Sequence, residues 1–356
     1  MNLLLSPLTR VDVADEVAHR LDRFFDERAA RAAAHGSQYR ALWQAARLAS
    51  EGGKRLRPAL VVNTFLEFGG SDIRTAVEVA AAFELLHTAF LLHDDVIDRD
   101  TVRRGRLNLM GACAEDASER GASENGAILW GQASAILAGD LLIQSAQSLL
   151  ARLGIAENRR IALLDLFDRC VFVTAAGELA DVAFATRVET PELSDVLAMS
   201  EQKTAGYSFE GPLVAGAILA GAGDEPLGIL REFGRLVGTA FQLRDDVLGV
   251  FGTEAETGKS IISDLQAGKI TPLISYAQNT EYGTELRRIF ARPRLGDADA
   301  EIVRAILDQC GARSFVEGMI DDYVHSALEC VESSGLPTRL QDNLMNIARH
   351  ASDRLR

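Results

Sequence analysis

Apolar residues recur at three- and four-residue steps along most of the chain, which is the pattern of amphipathic helices. Val13, Val17, Leu21 and Phe24 set the first such stripe, and a second helix is predicted around Trp43. Sustained alternation of apolar and polar residues, the pattern of half-buried strands, is almost lacking in the sequence. The hydrophobic pattern therefore predicts a protein built almost entirely from α-helices.

Longer apolar stretches predict a succession of buried helices. Two of them span 59–92 and are separated by a turn at Gly69, Gly70, Ser71 and Asp72, and others are predicted at 127–153, 161–188 and 228–250. Small residues between 206 and 220 favour close packing of one helix against another. Residues 111–126 are rich in Gly, Ala, Ser and acids with no apolar stripe, so they predict a mobile surface loop. Heavy use of Ala and Leu is typical of an all-α bundle.

Composition narrows the class of protein. The chain has 356 residues, 47% hydrophobic content and a net charge of −14, which provides a large core and argues against a nucleic-acid partner. We find no run of 18 consecutive apolar residues, and the apolar N-terminal run is too short for a signal peptide. The four widely spaced cysteines are typical of buried thiols in a reducing compartment. We therefore expect a soluble cytoplasmic protein without a transmembrane segment.

The most informative stretch runs from Glu84 to Arg104, where an apolar helix turns abruptly acidic. Asp94 and Asp98 are four residues apart, so on a helix their carboxylates lie on one face and repel each other. A hard divalent cation would explain the cluster, because Mg²⁺ prefers carboxylate oxygens and is usually shared with substrate phosphates. The alternative is an ordinary solvated acidic helix end, but the apolar lead-in leaves little solvated face for one.

A second acidic pair and a basic turn complement this stretch. Asp245 and Asp246 follow another apolar helix, and two acidic pairs on separate apolar helices suggest two walls of one metal–phosphate site. In GGKRLRP, residues 52–58, two glycines break a helix and a proline suits the start of the next one. Its cations therefore lie at a helix entrance, where free N–H groups also favour an anion. A basic surface turn is the alternative for this segment alone.

These segments, taken together, resemble the trans-isoprenyl diphosphate synthases of the polyprenyl synthetase family. The resemblance is close over roughly residues 51–272 and loose beyond, and it is carried in order by GGKRLRP (52–58), LLHDDVIDRDTVRRG (91–105), KTAGY (203–207), FQLRDDVLGVFG (241–252) and GKSIISDLQAGKITP (258–272). It implies one domain over residues 1–356, folded as a layered bundle of long helices around a deep central cavity. It also implies a homodimer. One departure stands out: many relatives repeat DDxxD in the second motif, whereas this chain has Gly249 at the last position.

The reaction that the resemblance implies is Mg²⁺-dependent condensation of isopentenyl diphosphate with an allylic diphosphate (dimethylallyl, geranyl or farnesyl). Three Mg²⁺ ions are expected in the site, and Mn²⁺ is expected to substitute. Asp94, Asp98 and Asp245 are the implied metal ligands. Asp95, Asp246 and Asp100 are expected to orient ligands or bound water. The resemblance implies that the allylic diphosphate is held by Arg103, Lys203 and Lys259, assisted by Thr204, Gln242 and Lys269. It implies that isopentenyl diphosphate is held by Lys54, Arg57, His87 and Arg104.

Product length is suggested by the residues that precede Asp94. Phe90 lies one turn upstream on the same face, Leu86 a further turn down, and Ala89 beside them is small. Relatives with bulky residues at the positions of Ala89 and Phe90 tend to make shorter products, so one bulky and one small residue favour geranylgeranyl diphosphate, with farnesyl diphosphate as the alternative. Phe90 as mere core packing is the other interpretation. Two other functions are possible for the whole chain. A non-catalytic partner subunit of a prenyl synthase would be expected to lose these acids and cations, which this chain keeps. A terpene cyclase would not need GGKRLRP to bind a second diphosphate.

Overall fold

The described protein is a series of helices with one short β-ribbon. The structure is a computed structural model that describes residues 7–252, 268–292 and 295–353. The helices are α1 (Pro7–Ala32), α2 (Ser37–Ser50), α3 (Leu56–Glu67), α4 (Ile73–Ile97), α5 (Leu109–Glu119), α6 (Glu124–Ala151), α7 (Glu157–Ala185), α8 (Leu193–Ser200), α9 (Gly211–Ala220), α10 (Asp224–Phe251), α11 (Pro272–Gln278), α12 (Gly283–Phe290), α13 (Asp297–Gln309), α14 (Ala312–Glu332) and α15 (Thr338–Asp353). A 3₁₀ turn covers Ala33–His35, and a π-helical segment, Glu201–Glu210, follows α8. The prediction of an all-α protein is confirmed.

The β-ribbon is the one departure from helix and turn that the described residues show. Strands β1 (Val102–Arg103) and β2 (Arg106–Leu107) pair antiparallel, with Val102 opposite Leu107 and Arg103 opposite Arg106. Gly105, in the left-handed region at φ 73°, lies in the turn between them. The ribbon matters because it presents Arg103, Arg104 and Arg106 from one tight turn directly after the acidic stretch.

The chain divides into two compact units. Unit 1 comprises 1–167 and 212–227, and unit 2 comprises 168–211 and 228–356. In unit 1, α4 is the central helix and packs against α1, α2, α3, α5 and α6. Its middle section is almost fully buried, from Ala76 to Ala89, which explains why this part of the sequence is apolar on nearly every side. The prediction of a single domain over the whole chain stays a prediction.

Small residues bring helices of unit 1 into close contact, as the sequence predicts. A Cβ on Gly216 of α9 would lie 2.3 Å from the carbonyl oxygen of Val61 in α3. Only a glycine allows this approach, because no real Cβ tolerates such a distance from a backbone oxygen. The glycine is therefore needed for packing, not for flexibility.

The prediction of a loop at 111–126 is wrong over most of its length. Asn108 caps α5 by accepting a hydrogen bond from the Gly111 N–H at 2.8 Å, and Ser123 caps α6 in the same way through Gly126 at 3.2 Å. The segment lacks an apolar stripe because α5 meets α6 through small residues. Alanine also has the highest helix propensity, so a weakly amphipathic segment still folds as helix.

In unit 2, α14 packs against α11, α13 and α15, and α8 packs against α11 and the π-helical segment. Thr271 caps α11, and Pro272 opens it, as the sequence predicts. The cysteines are free, but burial is confirmed only for Cys170, because Cys113, Cys310 and Cys330 keep partial exposure. Burial raises the pKa of the Cys170 thiol to about 12.

Two helices, α4 and α6, are long and apolar enough to cross a membrane when only length and composition are considered. In α4, 72% of the most apolar window is buried inside the protein, and in α6 the share is 39%. The core position of α4 accounts for its composition, whereas α6 leaves several large apolar side chains on the surface.

Candidate active site

The basic turn between α2 and α3 has a specific backbone shape. Gly52 and Gly53 lie in the left-handed region, at φ 79° and 77°, and so does Arg55, at φ 49°, which caps α3. A Cβ on Gly53 would lie 2.9 Å from Nη2 of Arg104. The missing side chain lets Arg104 lie over the turn and donate a hydrogen bond from Nη1 to the Glu51 carbonyl at 2.9 Å. The turn and the β-ribbon are therefore joined by one arginine.

A buried ion pair anchors the same turn to α4. Nη1 of Arg55 lies 2.6 Å from Oε1 of Glu84, and the side chains are only 22% and 7% exposed. Because an ion pair with few exposed atoms strongly restricts both partners, it fixes the left-handed backbone at Arg55. The sequence places Arg55 among the cations of the basic turn, but nothing in the pattern links it to Glu84, which lies 29 positions away.

His87 lies on α4 within a group of four guanidinium groups. Burial is the main cause of a pKa well below its ordinary value, and Arg57, Arg104, Arg103 and Arg55 lower the pKa further through their positive charges. His87 is therefore neutral at pH 7, and its ring offers one donor and one acceptor. We call Arg55, Arg57, Arg103 and Arg104 the arginine cluster. Its excess positive charge is suited to a diphosphate.

The acidic stretch forms the C-terminal end of α4. The helix ends at Ile97, and the backbone N–H of Asp98 still donates to the carbonyl of Asp94 at 2.8 Å, so the two carboxylates keep helical spacing. Nη2 of Arg103 lies 3.1 Å from Oδ2 of Asp94 and 2.7 Å from Oδ1 of Asp95. Burial alone would lower the pKa of Arg103, but Asp95 and Asp94 raise it above the ordinary value.

The same contacts separate the roles of the three aspartates. Asp95 is 2% exposed and lies beneath Arg103, whereas Asp94 and Asp98 keep part of their surface accessible. Partly accessible carboxylate oxygens on one helix face fit Mg²⁺, which takes one or two protein carboxylates and completes its shell with water and substrate phosphate. Within the described residues there is no ready-made group of three or more His, Cys, Asp or Glu side chains that could hold a metal. The donor set fits a metal held jointly with substrate.

In unit 2, Lys203 of the π-helical segment is held between two acids of α7. Its Nζ lies 2.9 Å from Oε2 of Glu178 and 2.7 Å from Oδ2 of Asp181, and its side chain is 21% exposed. The sequence shows both acids near the end of one helix, but nothing in the pattern links them to Lys203. A π-helical segment is uncommon and frequently marks a functional site.

A hydrogen-bond chain joins the same segment to the second acidic motif. The Thr204 hydroxyl donates to Oε1 of Gln242 at 2.6 Å, and Nε2 of Gln242 donates to Oδ1 of Asp246 at 2.9 Å. Asp246 is thereby oriented by a neighbour one turn earlier on α10. Asp245 beside it is partly accessible. Unit 2 therefore brings Thr204 and Gln242, two of the predicted diphosphate contacts, next to the acidic pair of α10.

The remaining predicted residues divide as follows. Lys269 is partly accessible, and Lys259 lies outside the described residues. Leu86 and Ala89 have no exposed surface, whereas Phe90 keeps some. Asp94, Asp98 and the arginine cluster belong to unit 1, and Lys203 and Asp245 belong to unit 2. That both acidic pairs serve one site stays a prediction.

Comparison with known proteins identifies the family. Residues 41–309 match the family described as polyprenyl synthetase. The geranylgeranyl diphosphate synthase of Methanosarcina mazei is 35% identical over 289 residues, which cover 81% of this chain and 82% of that one. The (2E,6E)-farnesyl diphosphate synthase of Mycobacterium bovis is 31% identical over 309 residues, covering 85% and 80%.

A solved structure agrees with this assignment. Geranylgeranyl pyrophosphate synthase from Corynebacterium glutamicum, complexed with isoprenyl diphosphate and magnesium, superposes with a TM-score of 0.88 at 27% identity, covering 95% of this chain and 97% of that one. The fold and the family match agree with the resemblance that the basic and acidic motifs carry. The chain belongs to the polyprenyl synthetase family and is a trans-prenyltransferase of the short-chain prenyl diphosphate synthase type.

Proposed function

We propose that this enzyme condenses isopentenyl diphosphate with an allylic diphosphate and that its main product is geranylgeranyl diphosphate. The observation that carries the proposal is the arginine cluster around a neutral His87, a few residues from the acidic end of α4. A cationic site for one diphosphate beside carboxylates for a metal-bound second diphosphate is the arrangement that prenyl transfer requires.

Isopentenyl diphosphate is held by Lys54, Arg57, Arg104 and His87 in this proposal. Arg57 lies in the first turn of α3, where backbone N–H groups and the helix dipole also favour an anion. The guanidinium fork bonds phosphate oxygens in pairs, and neutral His87 adds a hydrogen bond without further charge repulsion within the cluster. Glu84 contributes by keeping Arg55, and therefore the turn, in place.

The allylic diphosphate is held by Lys203, Arg103 and Lys259, assisted by Thr204, Gln242 and Lys269. Glu178 and Asp181 hold the ammonium group of Lys203 in position before substrate arrives. Asp95 does the same for Arg103. Preoriented cations of this kind stabilise the charge that develops on a leaving diphosphate without reorganising during the reaction.

Asp94, Asp98 and Asp245 would hold the Mg²⁺ ions, three in number, with Mn²⁺ as a substitute. Bound Mg²⁺ supplies positive charge to the diphosphate oxygens and so favours release of the leaving group. The C. glutamicum structure is complexed with magnesium, which supports magnesium as the metal. Asp95, held by Arg103, and Asp246, held by Gln242, orient the neighbouring groups.

The chemical steps follow from this placement of charge. The allylic C–O bond breaks, and its electron pair leaves with the diphosphate while Arg103 and Lys203 hold the departing oxygens. The double bond of isopentenyl diphosphate then attacks the allylic cation, and a proton is lost to the departing pyrophosphate. The proposal needs an apolar pocket without a nucleophile around the cation, and the apolar residues of α4 upstream of Asp94 are the ones proposed to line it.

Product length rests on three residues of α4. A chain growing along α4 meets Phe90 first, then Leu86, while Ala89 is small, so the barrier is incomplete. Several relatives, such as that of M. mazei, are geranylgeranyl diphosphate synthases, which favours this product. The relative from M. bovis is a (2E,6E)-farnesyl diphosphate synthase, so farnesyl diphosphate is the second candidate product.

We also propose that the enzyme is a homodimer that pairs through α6. This helix exposes Leu129 by 66%, Leu137 by 55%, Ile128 by 47%, Trp130 by 44% and Ile136 by 43%. Large apolar side chains seven or eight positions apart share one helix face, and such a patch is typical of a subunit interface. Light scattering tests it: the wild type should have twice the chain mass, and Leu129→Asp with Leu137→Asp should have the mass of one chain. An unchanged mass would overturn this interface.

We place the protein in the cytoplasm, as a soluble enzyme. The large net negative charge and the burial of α4 support this, and cell fractionation tests it. Recovery in the membrane fraction after a high-salt wash would contradict it.

The catalytic proposal is tested by product sizing. The enzyme is incubated with isopentenyl diphosphate, Mg²⁺ and one of dimethylallyl, geranyl or farnesyl diphosphate, and the products are separated by chain length after dephosphorylation. We expect a twenty-carbon alcohol as the main product from every primer. A fifteen-carbon main product would select the farnesyl alternative. Cyclised products, or no condensation in a folded protein, would refute prenyl diphosphate synthesis.

A further inference from the structure

A pocket lies in unit 1 behind the β-ribbon. It has a volume of about 120 Å³ and lies between the C-terminal half of α2, the face of α4 that carries Thr88, and the start of α5. Leucine and alanine side chains form its floor, and arginines of the β-ribbon lie at its mouth. We call it the ribbon pocket. None of the residues assigned above to isopentenyl diphosphate lines it, apart from Arg104.

The ribbon pocket is centred on a face of α4 that is next to the one carrying the metal ligands. Thr88, Leu92 and Asp95 line the pocket, at steps of four and three residues along one face. Asp94 and Asp98 lie at the edge of this face, beside Leu91, which also lines the pocket, since each residue turns the helix by about 100°. The buried Asp95–Arg103 pair forms a wall between the two, because Arg103 contacts Asp94 on one side and lines the pocket on the other.

Positive charge dominates the mouth of the pocket. Arg103, Arg104 and Arg106 line it against one acid, Asp95, in a chain whose net charge is −14. Arg104 donates to the Glu51 carbonyl, and Arg106 donates to the Leu48 carbonyl at 2.7 Å, so both lie across the opening towards the end of α2. Burial lowers the pKa of Arg104, and the charges of Arg103, Arg106 and Arg55 add to the effect. An anion at the mouth would relieve this repulsion.

The interior is apolar and small. Leu48 and Leu107, which line the pocket, remain 55% and 40% exposed, so an apolar group bound there would cover leucine surface. An apolar cavity of roughly 150 Å³ holds a benzene molecule, so about 120 Å³ accommodates roughly five carbons. The ligand that fits is therefore an anion with a short branched hydrocarbon group.

We propose that the ribbon pocket is a second binding site for a five-carbon prenyl diphosphate, separate from the reacting positions, and that its occupation inhibits the enzyme. The hydrocarbon lies among Leu48, Leu92 and Leu107, and the diphosphate lies against Arg104 and Arg106. The inference rests on the proposed function, which makes such a diphosphate the substrate. Inhibition follows because Arg104 is then withdrawn from the isopentenyl diphosphate that is to react.

Binding is tested first, by calorimetric titration of the full-length enzyme with isopentenyl diphosphate and no allylic primer. Ala45→Leu fills the pocket from α2, and Ala41→Leu, at an exposed position one turn earlier and outside the pocket, is the matched control. We expect Ala45→Leu to bind one molecule fewer per chain than the wild type, and Ala41→Leu to bind the same number. Arg57→Ala should lose the other binding event. Loss with Ala45→Leu but no change with Arg57→Ala would overturn the proposed catalytic assignment and keep this inference.

Kinetics provide the second test, with a variant that does not depend on filling the core. In the wild type, the rate should rise and then fall as isopentenyl diphosphate increases at fixed primer. Arg106→Gln should weaken the inhibition roughly tenfold or more, as expected for the loss of one charge-assisted contact, while the rate at low substrate stays unchanged. Arg40→Gln, an exposed arginine of α2 outside the pocket, is the control. Equal stoichiometry and equal inhibition in wild type, Ala45→Leu and Arg106→Gln would overturn the inference.

Discussion

Substitution of Glu84 by glutamine tests how the basic turn is held. Glu84 is 7% exposed and makes an ion pair with Arg55 at 2.6 Å, at a position where Arg55 has a left-handed backbone. Glutamine keeps the size of the side chain and can still accept one hydrogen bond, but it removes the negative charge. The guanidinium of Arg55 is then left in a site already crowded by other arginines.

The magnitude follows from the burial of the pair. Breaking a buried ion pair by removing one charge costs about 3–5 kcal/mol, and a hydrogen bond to a charged group is worth about 1.5–3 kcal/mol. Because the glutamine oxygen keeps part of that hydrogen bond, we expect Glu84→Gln to lower the free energy of unfolding by about 3 kcal/mol. The KM for isopentenyl diphosphate should rise more than the KM for the allylic primer, since the turn that carries Lys54 and Arg57 is loosened.

The assay is urea unfolding followed by circular dichroism, with Glu78→Gln as the matched control. Glu78 also lies on α4 and pairs with Arg20 at 2.6 Å, but it is 33% exposed. Exposure lets water screen the pair, so the control should lose about 1 kcal/mol or less. If the two variants lose the same free energy, or if Glu84→Gln leaves both KM values unchanged, the anchoring role of Glu84 is refuted.

Three further predictions concern the site. Arg57→Ala should raise the KM for isopentenyl diphosphate more than that for the primer, and Lys203→Ala should do the reverse; equal effects in steady-state kinetics would contradict the two diphosphate assignments. Phe90→Ala should lengthen the main product and Ala89→Tyr should shorten it, and unchanged product sizes in active enzymes would place length control elsewhere. Because the folded-state pKa of His87 lies below the 6.5 of the unfolded chain, the unfolded state takes up the proton first, so stability should fall as the pH drops below 6.5. His87→Gln should remove that part of the pH dependence, and an identical pH profile would contradict it.

Several elements could be predicted from the sequence because their signals are local. The two buried helices before Asp94 follow from continuous apolar runs interrupted by Gly69 and Gly70, and α11 follows from the Thr-Pro start signal at Thr271. The acidic end of α4 and the basic turn also stand out as breaks in an apolar pattern. These features need no knowledge of distant contacts.

Other elements depend on contacts that a sequence pattern does not contain. The helix α5 lacks an apolar stripe because it packs through small residues, so its sequence pattern predicts a loop. The π-helical segment has no distinct periodicity in a ten-residue stretch, and the strands of the β-ribbon have two residues each. The acids around Lys203, Glu178 and Asp181, lie more than twenty positions earlier in the chain, so only the fold brings them to the ammonium group.

The central claim is that the acidic motifs of α4 and α10 are both required for metal-dependent prenyl transfer. The most direct measurement is the turnover of Asp94→Ala and Asp245→Ala at saturating Mg²⁺, with circular dichroism of each variant to show that its helical content is unchanged. We expect each substitution to lower turnover by several orders of magnitude, because each removes a carboxylate that would hold metal against the leaving diphosphate. Near wild-type turnover in either folded variant would contradict the account.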